Sequence, residues 1–127
     1  MKAMILGAGR IGRGFVSELL HANQVEITYF DASSVMVDKL NEKKEYTIHV
    51  LGAEELNTHM EGVQAHLFYD IDALCSCWKE ADFLFTACGG KNMGNVGETL
   101  AKAFKRLVEE NAVHVSNIVT CENWINP

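Results

Sequence analysis

Residues 3–31 read AMILGAGRIGRGFVSELLHANQVEITYFD, and this stretch decides the fold. Ala3 to Leu6 is a short apolar run suited to a buried strand. Gly7, Gly9 and Gly12 follow in the G-x-G-x-x-G spacing of a dinucleotide-binding turn, and Ile11, Phe15 and Leu19 recur at helical spacing to mark an amphipathic helix. Gly7 permits the sharp strand-to-helix turn, Gly9 lets the backbone approach a pyrophosphate, and Gly12 lets the helix pack closely on the strand. The helix then points its free N–H groups at the diphosphate. A second apolar run, Val25 to Phe30, ends in Asp31, 19 residues after Gly12, where a carboxylate can accept hydrogen bonds from an adenosine ribose. The cofactor-binding residues read from this unit are Gly7, Ala8, Gly9, Arg10, Ile11, Gly12 and Asp31. Glycines framed by strand, helix, strand and acid are far more specific than glycines alone.

The chain has 127 residues, enough for one domain that buries a core without staples, and 48% of them are hydrophobic. Pro127 is the single proline, and no Gly/Ser-rich linker, charge block or repeat marks an internal boundary. A formal net charge of −6, with 11 basic residues spread along the chain, argues against a nucleic-acid or anionic-membrane surface. With no signal-peptide core and no apolar run of transmembrane length, a cytoplasmic location is expected. The four cysteines are then expected to be reduced. Cys75 and Cys77, two apart on one helix, point about 200° apart and cannot easily grip one ion, so no metal is expected. Cys88 and Cys121 read as small apolar fillers at neighbouring strand ends.

Beyond Asp31 the reading continues outward. Ser33 or Ser34 can cap a helix that turns Val37 and Leu40 inward. Tyr46, Ile48 and Val50 then alternate with Thr47, His49 and Leu51, the period of a half-buried antiparallel strand. Gly52 turns the chain, a weaker strand lies around Leu56 to Met60, and Val63, Ala65, Leu67 and Tyr69 alternate again. One to three extra strands are therefore expected between the two halves of the fold, with His49, His59 and His66 as ordinary sheet or surface imidazoles. Asp70 or Asp72 can cap a helix burying Ile71, Leu74 and Trp78. Phe83 to Phe85 fits a central parallel strand, and Thr86 to Gly90 falls where open α/β sheets hold ligands, which adds Cys88 and Gly89 to the cofactor-binding set. Lys91 reads as a solvated loop residue. Val96, Leu100, Ala103, Phe104, Leu107 and Val108 form one apolar stripe of a long helix. Glu109 and Glu110 oppose the dipole at its end, which is expected to fray slightly. A last strand, Val115 to Thr120, delivers Cys121, Glu122 and Asn123 to the edge that holds the glycine turn.

The fold class these elements define is α/β: Rossmann-type, doubly wound, a mainly parallel sheet with an inserted antiparallel strand excursion around residues 45–69. The runs G-A-G-R-I-G-R-G-F, Y-F-D-A, T-A-C-G and I-V-T-C-E-N-W together resemble the long-chain polyol dehydrogenase family, whose members include the mannitol-1-phosphate dehydrogenases. The resemblance covers residues 1–127 as the family's NAD-binding Rossmann domain, without its C-terminal helical substrate domain, so that Pro127 reads as a boundary. It implies an oxidoreductase of mannitol metabolism that interconverts a polyol phosphate and a ketose phosphate, mannitol 1-phosphate and fructose 6-phosphate in the namesake, with NAD as hydride acceptor and no metal. The family's general-base lysine and a histidine belong to the absent domain. No catalytic residue is therefore expected in this chain, which should be inactive alone. Asn123 matches a family position as a substrate or nicotinamide contact, and Arg10 stands where the namesake often has a small polar residue.

NAD is favoured over NADP because a 2′-phosphate would sit a few Å from Asp31 with no arginine immediately following to offset the like charges. The competing function is a stand-alone NAD-sensing regulatory Rossmann module of the potassium-transport type, which has about this length and does no chemistry. The excursion around Tyr46 to Tyr69 and the C-E-N ending count against it. A methyltransferase fits poorly, since its G-x-G-x-G turn would want glycine at Ile11.

Overall fold

A computed structural model of the chain describes residues 1–123, so that Trp124 of the I-V-T-C-E-N-W run and Pro127 lie outside the described residues. In chain order the elements are β1 (Lys2–Leu6), a π-helical segment (Ile11–Val16) that continues as α1 (Ser17–Ala22), β2 (Glu26–Asp31), α2 (Ser34–Lys43), β3 (Glu45–Ile48), β4 (Thr58–Glu61), β5 (Gln64–Leu67), α3 (Ile71–Trp78), β6 (Phe83–Thr86), α4 (Met93–Glu109) and β7 (Asn117–Thr120). Five strands form one parallel sheet in the order β5-β2-β1-β6-β7. The chain winds outward from β1 to β2 and β5, then restarts on the other side of β1 with β6 and β7. Strand order thus reverses between β1 and β6, the place where such sheets leave a crevice at their carboxyl ends.

Alternation along β1 divides the core in two. Met4 and Leu6 pack with Phe30, Leu84 and the inner faces of α3 and α4, whereas Ile5 packs on the opposite face with Val16, Tyr29, Val37 and Leu40. A strand covered on both faces reads as a continuous apolar run, and Ala3 to Leu6 are all at most 2% exposed. Ser33 accepts the N–H of Met36 and Asp70 that of Ala73, which settles the caps of α2 and α3.

The excursion divides at Glu61. β3 and β4 form a separate antiparallel pair, with Glu45 opposite Glu61 and Thr47 opposite His59. His59 Nε2 lies 3.5 Å from both of these carboxylates. β5, in contrast, is the third parallel strand, joined to β2 from Thr28↔Gln64 to Asp31↔Leu67. Its alternation has a different origin from that of a hairpin. β5 is an edge strand in which Ala65 is buried against α2 while its neighbour Gln64 is exposed and His66 is half-buried, and such an in-out contrast is the same whatever the strand direction. The Asn41 side chain accepts the N–H of Ala65 and donates to its carbonyl, satisfying the open edge.

Two helix stripes are corrected. Ile11, Phe15 and Leu19 are 53–62% exposed, and the helix packs inward through Gly12, Val16 and Ser17. The cause is Gly12, which must touch the strand turn and so rotates the larger side chains out to solvent. Along α4, Val96, Leu100, Ala103 and Leu107 are buried as expected, but Val108 is exposed and Phe104 leans over the indole of Trp78 with centroids 5.9 Å apart. No helix among the described residues is long and apolar enough to cross a membrane.

The end of α4 overturns the expectation of fraying. Glu110 accepts from Lys79 Nζ and from Arg106 Nε, each at 2.8 Å, and Arg106 also reaches Asp72, so the carboxylate ties α4 to α3. Hydrogen bonds from the Lys79 and Arg106 side chains hold the Glu110 carboxyl down to about 2, against an ordinary 4.5. A carboxyl depressed in the folded state contributes stability that is complete above its unfolded value and is lost as the pH falls through the folded one. Glu110→Gln is therefore expected to lower Tm at neutral pH, and the gap from the parent should close as the pH approaches 2 in a series of thermal melts. A gap of constant size would mean that the network carries no linked proton.

Candidate functional site

The turn after β1 is fixed by close backbone contact. Gly7 has φ +109°, a conformation that L side chains rarely adopt, and a Cβ there would lie 2.4 Å from the Ala87 carbonyl oxygen. Its N–H donates to the Phe30 carbonyl at 2.7 Å, while the Ala87 N–H donates to that of Leu6 at 2.8 Å, so the ends of β1, β2 and β6 are stitched together at one point. A Cβ on Gly12 would stand 2.1 Å from the Gly7 carbonyl oxygen and 3.1 Å from Ile5, which makes glycine the residue that brings the helix onto the strand. Nothing lies within 4 Å of a Cβ built on Gly9, so the backbone there faces open space.

Asp31 ends β2 beside this turn. Its Oδ2 accepts the Ala8 N–H at 2.7 Å and its Oδ1 the Ser33 N–H at 2.8 Å. Each carboxylate oxygen retains a further lone pair for another donor. Gly7, Gly9, Asp31 and Cys88 line one cavity of about 280 Å³ at the carboxyl ends of β1, β2 and β6. The cavity adds Phe68, Tyr69, Asn92 and Asn95, which the sequence reading did not single out. The signal for Phe68 and Tyr69 is their place just past the carboxyl end of β5, one and two residues beyond Leu67, the partner of Asp31. Asn92 and Asn95 carry no local signature.

The remaining candidates are spread around this cavity. Ala8 is buried, Ile11 and Gly89 are exposed, and Gly89 has φ +87°. Arg10 lies on the side of the turn that faces the hairpin, where it lines a smaller cavity with Arg13 and Tyr46. Lys91 is exposed, and Asn123 is exposed outside the cavity lining. Cys88 and Cys121 follow the paired strands β6 and β7. Burial, and then the Glu122 carboxylate, push the Cys88 thiol up to about 11, so it stays protonated and behaves as a filler rather than a nucleophile.

Arg13 and Tyr46 tie the hairpin to the turn. Arg13 Nε donates to the Ala8 carbonyl at 2.6 Å, and its guanidinium sits 5.8 Å from the centre of the Tyr46 ring. The Tyr46 hydroxyl donates to the Arg13 carbonyl at 2.9 Å and meets the Tyr29 hydroxyl at 2.7 Å. Tyr29 in turn meets buried Ser17, and burial raises its phenol far above the ordinary value. Ser17 closes the π-helical start, since both its N–H and its hydroxyl donate to the Gly12 carbonyl.

A glycine turn at the switch point of a doubly wound parallel sheet, with an acid closing β2, defines a dinucleotide-binding domain of the Rossmann class. The chain belongs to the mannitol dehydrogenase Rossmann-domain family, which matches residues 1–127. It is similar to mannitol-1-phosphate 5-dehydrogenases from Clostridium acetobutylicum (37% identical), Caldanaerobacter subterraneus (33%) and Enterococcus faecalis (32%), over 97–98% of its own length. It spans about a third of the length of these curated relatives, 32–33%. Among solved structures, the TrkA-N domain of the inner membrane protein ybaL from Escherichia coli aligns with TM-score 0.58 at 19% identity, covering 97% of this chain and 73% of that one. That likeness is one of fold alone.

The geometry predicts opposite results at two glycines. Gly12→Ala should cost about 3 kcal/mol, because neither the Gly7 carbonyl nor the helix can give way by the distance required. Gly9→Ala should leave the unfolding free energy within about 0.5 kcal/mol of the parent, as expected for a substitution into open space. Chemical denaturation of the two variants checks both, and equal losses would refute the packing role of Gly12.

Proposed function

We propose that residues 1–127 hold NAD for a polyol-phosphate dehydrogenase that converts mannitol 1-phosphate and NAD⁺ to fructose 6-phosphate, NADH and a proton. The observation that carries this reading is the single cavity in which the open backbone of Gly9 and the carboxylate of Asp31 face the same crevice at the strand-order reversal. NAD supplies the hydride acceptor. The chain's own residues hold it in place. The turn at Gly7 to Gly12 receives the diphosphate, Asp31 accepts the adenosine ribose hydroxyls, and the rings of buried Phe68 and exposed Tyr69 flank the adenine. The Asp31 charge disfavours the 2′-phosphate of NADP. The resemblance to the family assigns Asn123, three residues past β7, to the substrate oxygen or the nicotinamide, although it lies outside the lining of this cavity.

Proton abstraction from the polyol falls to a lysine outside these residues, as in the family, so hydride transfer needs more than this domain. The relatives at 32–37% identity, named as mannitol-1-phosphate 5-dehydrogenases, support the substrate class.

Calorimetric titration of the protein with NAD tests the cofactor role. Asp31→Ala should weaken binding by about 1.5–3 kcal/mol, the scale of a hydrogen bond to a charged group. Unchanged affinity would remove Asp31 from the site. Gly9→Val should abolish binding without lowering Tm, because its branched side chain fills the space meant for the pyrophosphate; a normal titration would refute the placement of the turn.

A further inference from the structure

Of the two polar residues that follow β7, Glu122 makes the contacts. Its Oε1 accepts the Cys88 N–H at 2.9 Å and lies 3.4 Å from the Cys88 thiol, and its Oε2 accepts the Gly89 N–H at 3.0 Å. The other side of the same loop is held as well, since Asn92 Nδ2 donates to the Cys88 carbonyl at 2.6 Å. Two successive N–H groups, one of them on a glycine with φ +87°, thus converge on one carboxylate. Glu122 fills that pair with a carboxylate of the chain itself. The loop it fixes begins with Ala87, whose carbonyl closes over Gly7, and both Ala87 and Cys88 line the cavity. Backbone approach at Cys88 and Gly89 is thus arranged by a residue 33–34 positions further on.

We infer that Glu122 is a positioning residue for the cofactor: it shapes the Ala87–Gly89 loop into the wall against which the half of the dinucleotide remote from Asp31 rests, and it occupies a donor pair that would otherwise compete with the glycine turn for the diphosphate. The inference rests on the dinucleotide reading above. Asp31 at the end of β2 holds the adenosine side, so the other half of a dinucleotide crosses β1 toward β6 and β7, where Glu122 stands. Loss of Glu122 then touches one half of the ligand and spares the other.

Titration of the parent, Glu122→Ala and Glu122→Gln with NAD and, separately, with AMP tests it. Glu122→Ala should weaken NAD at least about tenfold and leave AMP within about twofold, since two charge-assisted hydrogen bonds at the loop are lost while the adenosine side is untouched. Glu122→Gln keeps one acceptor oxygen and should show the same selectivity with a smaller loss, which preserves the test if the alanine variant does not fold. Equal losses for NAD and AMP would reveal a merely structural residue, and unchanged NAD affinity would likewise overturn the inference. A parent protein that binds neither ligand would overturn the dinucleotide reading itself, a result distinct from any difference between the variants.

Discussion

The carbonyl oxygen of Gly7 occupies the space that a Cβ on Gly12 would need, 2.1 Å away, and the rest of the structure depends on that approach. It presses the first helix onto the end of β1, and with Gly7 itself wedged beneath Ala87 it brings three strand ends and a helix start to one point. Backbone N–H groups around this point are consumed in a fixed pattern. Those of Gly7 and Ala87 go to neighbouring strands, that of Ala8 goes to Asp31, and the backbone at Gly9 is left facing open space. Rigidity around an opening is what a cofactor cradle requires, because a preorganised site loses little freedom when its ligand arrives.

Two side chains distant in sequence hold the cradle from outside. Tyr46 reaches in from the inserted hairpin to the Arg13 carbonyl, and Glu122 reaches across from β7 to the loop after β6. The hairpin, which interrupts an otherwise plain Rossmann half, therefore does more than lengthen the chain between α2 and β5. Its Tyr46 donates to the Arg13 carbonyl, Ser17 donates to the Gly12 carbonyl, and the Tyr29 hydroxyl stands between them with one proton to give to either, so the inserted strands and the glycine turn meet at one cluster of hydroxyls. The raised phenol of Tyr29 follows from the same burial and keeps that hydroxyl protonated.

Charge is arranged with similar economy at the far side. Glu110 stands at the helix end where its charge opposes the dipole, yet Lys79 and Arg106 surround it and turn an unfavourable position into a tie between α3 and α4. A local rule about one residue is here overridden by partners brought in by the fold.

The sequence by itself determined the glycine turn, the flanking strands and Asp31, because their chemistry is complete within about thirty residues and each glycine answers a local steric demand. It also determined the caps at Ser33 and Asp70 to within one alternative, and the buried line of α4. Tertiary structure alone decided that Gln64–Leu67 joins the main sheet in parallel, since alternation reports a covered face and says nothing of the neighbour's direction. It decided, too, that Ile11, Phe15 and Leu19 face solvent, because the contact at Gly12 sets the rotation of the helix and overrides the hydrophobic stripe. Glu122 became legible only when β6 and β7 lay side by side: a carboxylate finds two N–H groups more than thirty residues away through strand pairing, and no local pattern records that distance.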